Sequence, residues 1–189
     1  MSPKQNTPWE FLDEFRGKLF GGEWPTLPEL FEITTQRYPD RPAFTVYDPN
    51  RVSLSYREAL ERVVQVAGYL HKNGVGHGDR VAVSGKNSPE WAIAYLGVLY
   101  AGAVVVPIDY QLTNGEVENL LRASDAKLLF VDEEKYDHFA EGTDGAGEQA
   151  VSVQSLSPKR PGYIYTLSGS LDDRWQPARE EELAAILFT

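Results

Sequence analysis

One uncharged stretch, residues 91–108 (WAIAYLGVLYAGAVVVPI), constrains the fold more than any other part of the chain. A run of this length without Lys, Arg, Asp or Glu raises the possibility of a membrane-spanning helix. Gly97, Gly102 and Pro107 interrupt the run, and acidic residues flank it where a membrane span would have Lys or Arg. We therefore predict that the stretch is buried inside a folded domain and does not span a membrane.

The same stretch changes its period part-way along, which predicts a helix followed by a strand. Up to Tyr100 the apolar residues recur at helical spacing. From Val104 to Ile108 the residues are β-branched apart from Pro107, as expected of a strand that is covered on both faces. Gly102 lies between the two segments and can adopt the positive φ that ends a helix.

After residue 80 the sequence alternates between strand and helix patterns. The predicted strands are residues 80–84, 104–108 and 127–131, and the predicted helices begin at Ser88 and at the capping-box pattern of residues 113–116. Strands separated by helices at this spacing form βαβ units with right-handed crossovers. We therefore predict an α/β fold with a mostly parallel sheet and flanking helices.

Three further segments complete the predicted organisation. Residues 1–24 have apolar residues at helical spacing and are interpreted as an amphipathic N-terminal arm that packs on the body. Residues 25–189 are interpreted as an incomplete first α/β lobe, which opens with a helix and a β-hairpin over residues 43–56. The final apolar run, residues 183–188, predicts one more buried strand. The inner face of the first helix is predicted to consist of Leu27, Leu30, Phe31 and Thr34.

Composition and charge exclude several classes of function. The formal net charge of −10 repels phosphate backbones and anionic membranes, so we expect neither a nucleic acid nor a membrane surface as partner. The sequence has no Cys, which excludes disulfides and thiolate chemistry. The first residues show no secretory signal pattern. We predict a cytoplasmic protein.

No pattern within the chain predicts a catalyst or a metal site. The glycine-rich residues 142–147 have the wrong order for a dinucleotide-binding loop and are interpreted as a surface loop. The acidic runs at residues 132–134 and 172–173 are interpreted as solvated surface. The three histidines lack ligand spacing and are given structural roles: His71, His77 and His138.

Three short motifs resemble those of the acyl-adenylate-forming superfamily, which includes acyl-CoA synthetases, luciferases and the adenylation domains of peptide synthetases. Residues 54–58 (LSYRE) resemble an early L-[TS]-Y-x-E-L motif, although Ala59 precedes Leu60. Residues 99–109 (LYAGAVVVPID) resemble the second motif, L-K-A-G-x-A-Y-[VL]-P-[IL]-D, with Tyr100 in place of Lys and two valines in place of Ala-Tyr. Residues 182–189 (ELAAILFT) resemble the segment that introduces a phosphate-binding loop.

The resemblance implies a reaction in two halves. A carboxylate attacks the α-phosphate of ATP in the presence of Mg²⁺, and a thiol such as that of CoA then displaces AMP. A Gly/Ser/Thr loop would surround the phosphates with backbone N–H groups and hydroxyls. Of that loop, only Thr189 is present as a cofactor-binding residue. The resemblance implies no catalytic residue and no metal ligand in this chain, and it gives Tyr56 and Asp109 structural roles.

We therefore expect an amino-terminal piece of an ATP-dependent acyl-CoA synthetase, with a fatty acid as its carboxylate substrate. The 189 residues alone are expected to bind no cofactor and to be inactive. Two alternatives remain at this point. One is the adenylation domain of a peptide synthetase or an acyl-carrier ligase, which shares the first half-reaction and differs in its acceptor. The other is a stand-alone, non-catalytic α/β binding module that ends at Thr189.

Overall fold

The computed structural model describes residues 25–48, 51–141, 151–171, 178–179 and 181–188 of this chain. In chain order, these residues form helix α1 (Leu27–Arg37), strands β1 (Pro42–Val46) and β2 (Val52–Ser55), helix α2 (Tyr56–Lys72), strand β3 (Arg80–Ser84), helix α3 (Pro89–Tyr100), strand β4 (Val104–Ile108), helix α4 (Asn114–Ser124), strand β5 (Ala126–Val131), helix α5 (Glu133–Glu141), strand β6 (Ser152–Ser155) and a 3₁₀ turn (Ile164–Thr166).

The centre of the fold is a four-stranded sheet with the order β4-β3-β5-β6, in which all neighbouring strands are parallel. β3 is flanked by β4 and β5, so that Val81 pairs with Val105 on one side and with Leu128 on the other. β1 and β2 form a separate antiparallel hairpin. The predicted parallel α/β sheet and the predicted hairpin are both confirmed.

Apolar side chains alternate between the two faces of the sheet, and each face is covered by helices. Val81 and Val83 of β3 pack in the core beneath α2 and α3. Ala82, between them, packs in the second core, where α4 and α5 contribute Val117 and Phe139. Burying a side chain the size of valine stabilises a fold by about 1.5–3 kcal/mol. The helices are therefore held to the sheet mainly by these two apolar layers.

The uncharged stretch of residues 91–108 divides into a helix and a strand, as predicted. α3 begins with the Ser88 side chain accepting a hydrogen bond from the backbone N–H of Trp91, and it ends before Gly102, whose φ is +74°. β4 follows and is buried except at Pro107. Among the helices that the structure describes, none is both long and apolar enough to cross a bilayer. The prediction of a buried helix and strand is confirmed.

Reciprocal capping boxes fix the starts of α1, α2 and α4. In α4, the Thr113 hydroxyl accepts from the backbone N–H of Glu116, and the Glu116 carboxylate accepts from the backbone N–H of Thr113. The same exchange joins Ser55 and Glu58 at the start of α2. Each box satisfies N–H groups that a helix start otherwise leaves unpaired. The helix start predicted from the capping-box pattern of residues 113–116 is confirmed.

Two predictions, one of a buried face and one of an exposed run, are wrong in detail. The predicted inner face of α1 is not the buried one. Leu27 is 49% exposed, whereas the fully buried residues of this helix are Ile33 and Thr35. The other predicted residues, Leu30, Phe31 and Thr34, line an apolar groove. The acidic run at residues 132–134 is not simply solvated surface, because α5 begins at Glu133 and Asp132 is partly buried.

Several predictions concern residues outside the described part of the chain. These are the N-terminal arm (residues 1–24), the glycine-rich loop (residues 142–147), the acidic pair at residues 172–173, and Thr189. They remain predictions.

Candidate functional site at the carboxyl edge of the sheet

The parallel strands bring several chain segments together at one edge of the sheet. The strands end there at Ser84, Ile108, Val131 and Ser155. In doubly wound sheets, ligands bind at this edge, where neighbouring strands connect to opposite faces. β3 connects to α3 on one face and β5 connects to α5 on the other. The boundary between β3 and β5 is therefore the switch point of this sheet.

Asp132 lies at the switch point and forms hydrogen bonds to the end of β3 and to the segment that follows it. The backbone N–H of Lys86, just after β3, donates to Asp132 Oδ2 over 2.6 Å. The backbone N–H of Asp132, just after β5, donates to the Ser84 carbonyl over 3.2 Å. Burial raises the pKa of the Asp132 carboxyl, and the hydrogen bond from Lys86 opposes this effect only in part. The carboxylate thus joins the ends of the two central strands.

Gly85 provides the space that this carboxylate occupies. A Cβ atom at Gly85 would lie 2.8 Å from Asp132 Oδ1 and 2.7 Å from Leu156 Cδ1. Both distances are shorter than ordinary van der Waals contact. The side chains of Asp132 and Leu156 therefore fill the crevice in which doubly wound proteins commonly hold a ligand.

Lys86 directly follows Gly85 and therefore carries a positive charge close to this crevice. Its Nζ atom lies 2.6 Å from Glu134 Oε1, and both side chains are mostly exposed. The hydrogen bond to Glu134 raises the pKa of Lys86, so the ammonium stays charged. The ammonium also lies 5.9 Å from the ring centroid of Tyr110. Lys86 could bind a phosphate as a point charge, but only in competition with Glu134.

The two motif residues with predicted structural roles make local contacts. The backbone N–H of Tyr56, at the start of α2, donates to the Arg41 carbonyl over 3.0 Å. The Tyr56 ring lies 5.8 Å from that of Phe31. Asp109, directly after β4, accepts a hydrogen bond from the backbone N–H of Gln111 through Oδ1 over 2.9 Å. These are the contacts of a helix entry and of a turn at a strand end.

Within residues 183–188, Ala185 forms one parallel β-bridge with Val105 of β4, on the side away from β3. The N–H of Val105 donates to the Ala184 carbonyl and the N–H of Ile186 donates to the Val105 carbonyl, each over 3.0 Å. The predicted buried strand is wrong, because the segment forms only this bridge, and Leu183 is 61% exposed and Leu187 is 73% exposed. The reason is that, in the described part of the chain, only β4 pairs with this segment. Thr189, the predicted cofactor-binding residue, lies outside the described residues.

Two histidines are paired with carboxylates. His77 Nδ1 lies 3.3 Å from Glu182 Oε2, and His138 Nε2 lies 2.6 Å from Glu118 Oε1. Within the described ranges, no three or more His, Asp or Glu side chains group closely enough to hold a metal ion. The described side chains therefore provide no such cluster, and we derive no metal-dependent step from them.

No local pattern in the sequence links Asp132 with Gly85. The composition of residues 132–134 predicts only an acidic surface run. A signal was available, because Asp132 directly follows a buried strand and must therefore lie at the carboxyl edge of the sheet. Its partner Lys86 is 46 residues away, and no local pattern indicates that hydrogen bond.

Comparisons with known proteins extend these observations. A family model described as "AMP-binding enzyme" matches residues 31–189. Surfactin synthase subunit 2 of Bacillus subtilis (strain 168) is 43% identical over 108 residues, which are 57% of this chain and 3% of that protein. The long-chain-fatty-acid–CoA ligase of the same organism is 34% identical over 104 residues, which are 55% of this chain and 18% of that protein.

A solved structure shows the same architecture. The N-terminal subdomain of Klebsiella oxytoca NpsA, in complex with 3-hydroxybenzoyl-AMSN, superposes with a TM-score of 0.68 and 26% sequence identity. The match covers 88% of this chain and 38% of that one. This chain thus spans less than half the length of each of these three proteins.

Proposed function

Because this chain belongs to the family of AMP-binding enzymes, we propose that the complete protein activates a carboxylate with ATP. A carboxylate oxygen forms a bond to the α-phosphorus, the bond from that phosphorus to the bridging oxygen breaks, and pyrophosphate leaves. A thiol then loses its proton to water, its sulfur bonds to the acyl carbon of the acyl-adenylate, and AMP leaves with the electron pair of the broken C–O bond. The family match over residues 31–189 is the observation that supports this proposal.

For the second half-reaction, we propose transfer of a fatty acyl group to CoA, which would make the complete protein an acid–thiol ligase. The similarity to a long-chain-fatty-acid–CoA ligase supports it. A second candidate is the adenylation unit of a peptide synthetase, whose acceptor is the thiol of a carrier domain. The 43% identity to a surfactin synthase subunit favours this candidate. The two share adenylate formation and differ in the carboxylate and in the thiol.

To this activity, the chain contributes the parallel sheet and the segment of residues 183–188, which lies beside β4. Since this segment runs parallel to β4, it is directed towards the carboxyl edge of the sheet. We propose that Thr189 follows as the first residue of a phosphate-binding loop and offers its N–H and hydroxyl to ATP. The remaining binding residues would come from the part of such proteins that has no counterpart here. On this basis the 189 residues alone are inactive, and the complete protein acts in the cytoplasm, consistent with its lack of Cys in this region.

Carboxylate-dependent exchange of pyrophosphate into ATP tests the first half-reaction. The complete protein is assayed with a panel of fatty acids and amino acids, and this chain is assayed beside it. We expect exchange with one carboxylate class by the complete protein and none by the chain. Exchange by the chain itself would refute its proposed inactivity. A complete coding sequence that ends at Thr189, without exchange, would support a stand-alone binding module instead.

The thiol acceptor is tested with the carboxylate that gives exchange. CoA and a phosphopantetheinylated carrier domain are compared as acceptors, and thioester formation is followed by mass spectrometry. A Thr189→Val variant of the complete protein should lose most of its exchange activity. Thr166→Val is the matched control, because the Thr166 hydroxyl donates to the Tyr163 carbonyl over 2.7 Å in an exposed 3₁₀ turn. Equal activity of the two variants would contradict the proposed role of Thr189.

A further inference from the structure

An apolar groove of about 360 Å³ lies between α1, β1 and α3. Two aromatic pairs help to form it: Phe31 and Tyr56 have ring centroids 5.8 Å apart, and the rings of Trp91 and Tyr95 stack at 5.4 Å. At its rim, half of the Leu27 side chain is exposed. The volume is within the range of about 300–1,000 Å³ found for binding sites. Apolar surface that is concave and open to water is typical of a site that another group covers.

The chemistry of the groove favours apolar side chains over a small polar ligand. Ligand sites usually combine an apolar wall with a few polar groups that fix the orientation of the ligand. Thr34 contributes a hydroxyl to the wall, but this hydroxyl already donates to the Leu30 carbonyl of the same helix over 2.8 Å. The groove therefore resembles a surface that receives an amphipathic helix, as in helix-in-groove recognition.

The sequence that precedes α1 has the pattern that such a groove requires. Residues 9–20 read WEFLDEFRGKLF, and their apolar members recur three and four positions apart. Glu10, Glu14 and Gly17 fall on the opposite side of the same helical projection. Arg16 falls on the apolar side, four positions after Leu12, where its alkyl stem can pack while the charged end reaches water. If helical, these residues would extend about 18 Å. Two consecutive glycines follow at residues 21 and 22, and they allow the chain to reverse its direction.

The connection to α1 is long enough for this segment to reach the groove. From Phe20 to Leu27, seven residues can span up to about 25 Å. Leu27 itself lines the groove, so the segment is connected to its rim. A tethered segment has an effective concentration in the millimolar range. It therefore has an advantage over a second copy of the chain, which would need to reach a similar concentration in solution.

We propose that residues 9–20 form an amphipathic helix that seats its apolar side in the groove between α1, β1 and α3 of the same chain. The helix covers the aromatic pairs and the exposed side of Leu27. This arrangement gives the N-terminal arm a defined position on the lobe and is independent of the proposed catalytic function.

Disulfide trapping in the full 189-residue chain tests the proposal, because the chain has no Cys of its own. Thr34→Cys places one thiol at the groove. It is combined in turn with cysteine at Leu12, Phe15 or Leu19 on the apolar side of the arm. The matched controls combine it with cysteine at Glu10 or Glu14 on the opposite side. A second set replaces Thr34→Cys with Asn119→Cys, on the exposed surface of α4 across the sheet.

We expect the apolar-side positions to form an intramolecular disulfide with Thr34→Cys at least about tenfold faster than the control positions, and faster than any pair that includes Asn119→Cys. Mass spectrometry distinguishes links within one chain from links between chains. Equal rates for the two sides of the arm would refute the proposal. Links between chains alone would also refute it and would assign the groove to a second copy.

A single substitution provides an independent measurement if a double variant fails to fold. Phe15→Glu would place a charge on the apolar side of the arm, whereas Glu14→Lys makes a charge change on its opposite side. We expect Phe15→Glu to speed backbone hydrogen exchange in α1 by at least about tenfold, and Glu14→Lys to leave it near that of the unmodified chain. Unchanged exchange in Phe15→Glu would overturn the proposal.

Discussion

Replacing Gly68 with alanine should destabilise the fold, because α2 touches another backbone segment directly at this position. An added Cβ would lie 2.5 Å from the carbonyl carbon of Gly169, 2.6 Å from its oxygen and 2.7 Å from the nitrogen of Ser170. All three atoms belong to the backbone, so no side-chain rotation can remove the overlap. The segment of residues 167–171 would have to move away from the helix.

Two opposing effects set the size of the change. Alanine is favoured over glycine within a helix by about 1 kcal/mol. Overpacking of a well-packed site costs about 1–3 kcal/mol, and the upper end applies here because backbone atoms must move. Ile164 and Leu167, which anchor this segment in the core, would lose part of their burial. We therefore expect a net loss of about 2 kcal/mol in the free energy of unfolding.

Urea denaturation followed by circular dichroism measures this loss. With a slope of about 2 kcal/mol per molar urea, the midpoint should fall by about 1 M. Gly115→Ala is the matched control, since it also lies in a helix but its Cβ would meet no atom within 4 Å. That control should gain about 0.4–1 kcal/mol. A Gly68→Ala midpoint at or above that of the unmodified chain would refute the close backbone approach.

Three further predictions concern side chains. Thr113→Ala removes the cap of α4 and should cost about 1 kcal/mol in thermal or urea unfolding, whereas Thr113→Ser should retain most of it. Burial raises the pKa of Asp132 in the folded protein above its unfolded value of about 4. The contribution of this group to stability is therefore present below about pH 4 and is lost as the pH rises through the folded pKa. Asp132→Asn should therefore be at least as stable as the unmodified chain at pH 7 and lose that advantage near pH 3; a clear loss at pH 7 would contradict this sign. The Tyr163 hydroxyl donates to Glu90 Oε1 over 2.9 Å, and burial together with the Glu90 charge raises the pKa of Tyr163. Stability should therefore fall above about pH 10, and it should fall less steeply in Tyr163→Phe.

The sequence predicts the central elements because their signals are local. The Thr113–Glu116 capping box, the positive φ at Gly102 and the β-branched run of β4 each depend on residues within a few positions of one another. Helical periodicity also identifies the apolar side of α1. It does not indicate whether another segment covers that side, and Leu27 is in fact exposed.

The candidate site is less accessible to prediction because its contacts join distant parts of the chain. The hydrogen bond between Lys86 and Asp132 forms only after β3 and β5 have paired. α5 was missed because it is short and polar, with Phe139 as its buried residue. Residues 183–188 have the composition of a buried strand, but their burial depends on a neighbour beyond β4 and cannot be deduced from composition.

The position of β3 between β4 and β5 has a consequence during synthesis on the ribosome. Both of its partners are made later, so β3 cannot complete its pairing until residue 131 has emerged. At about 5–20 residues per second, translation from residue 85 to residue 131 takes about 2–10 s. For the last part of that interval, about 1–5 s from residue 108 to residue 131, the nascent chain displays the uncharged run of residues 91–108 without its final neighbours. This is the period in which a nascent chain of this kind most needs a chaperone, and slower translation would lengthen it.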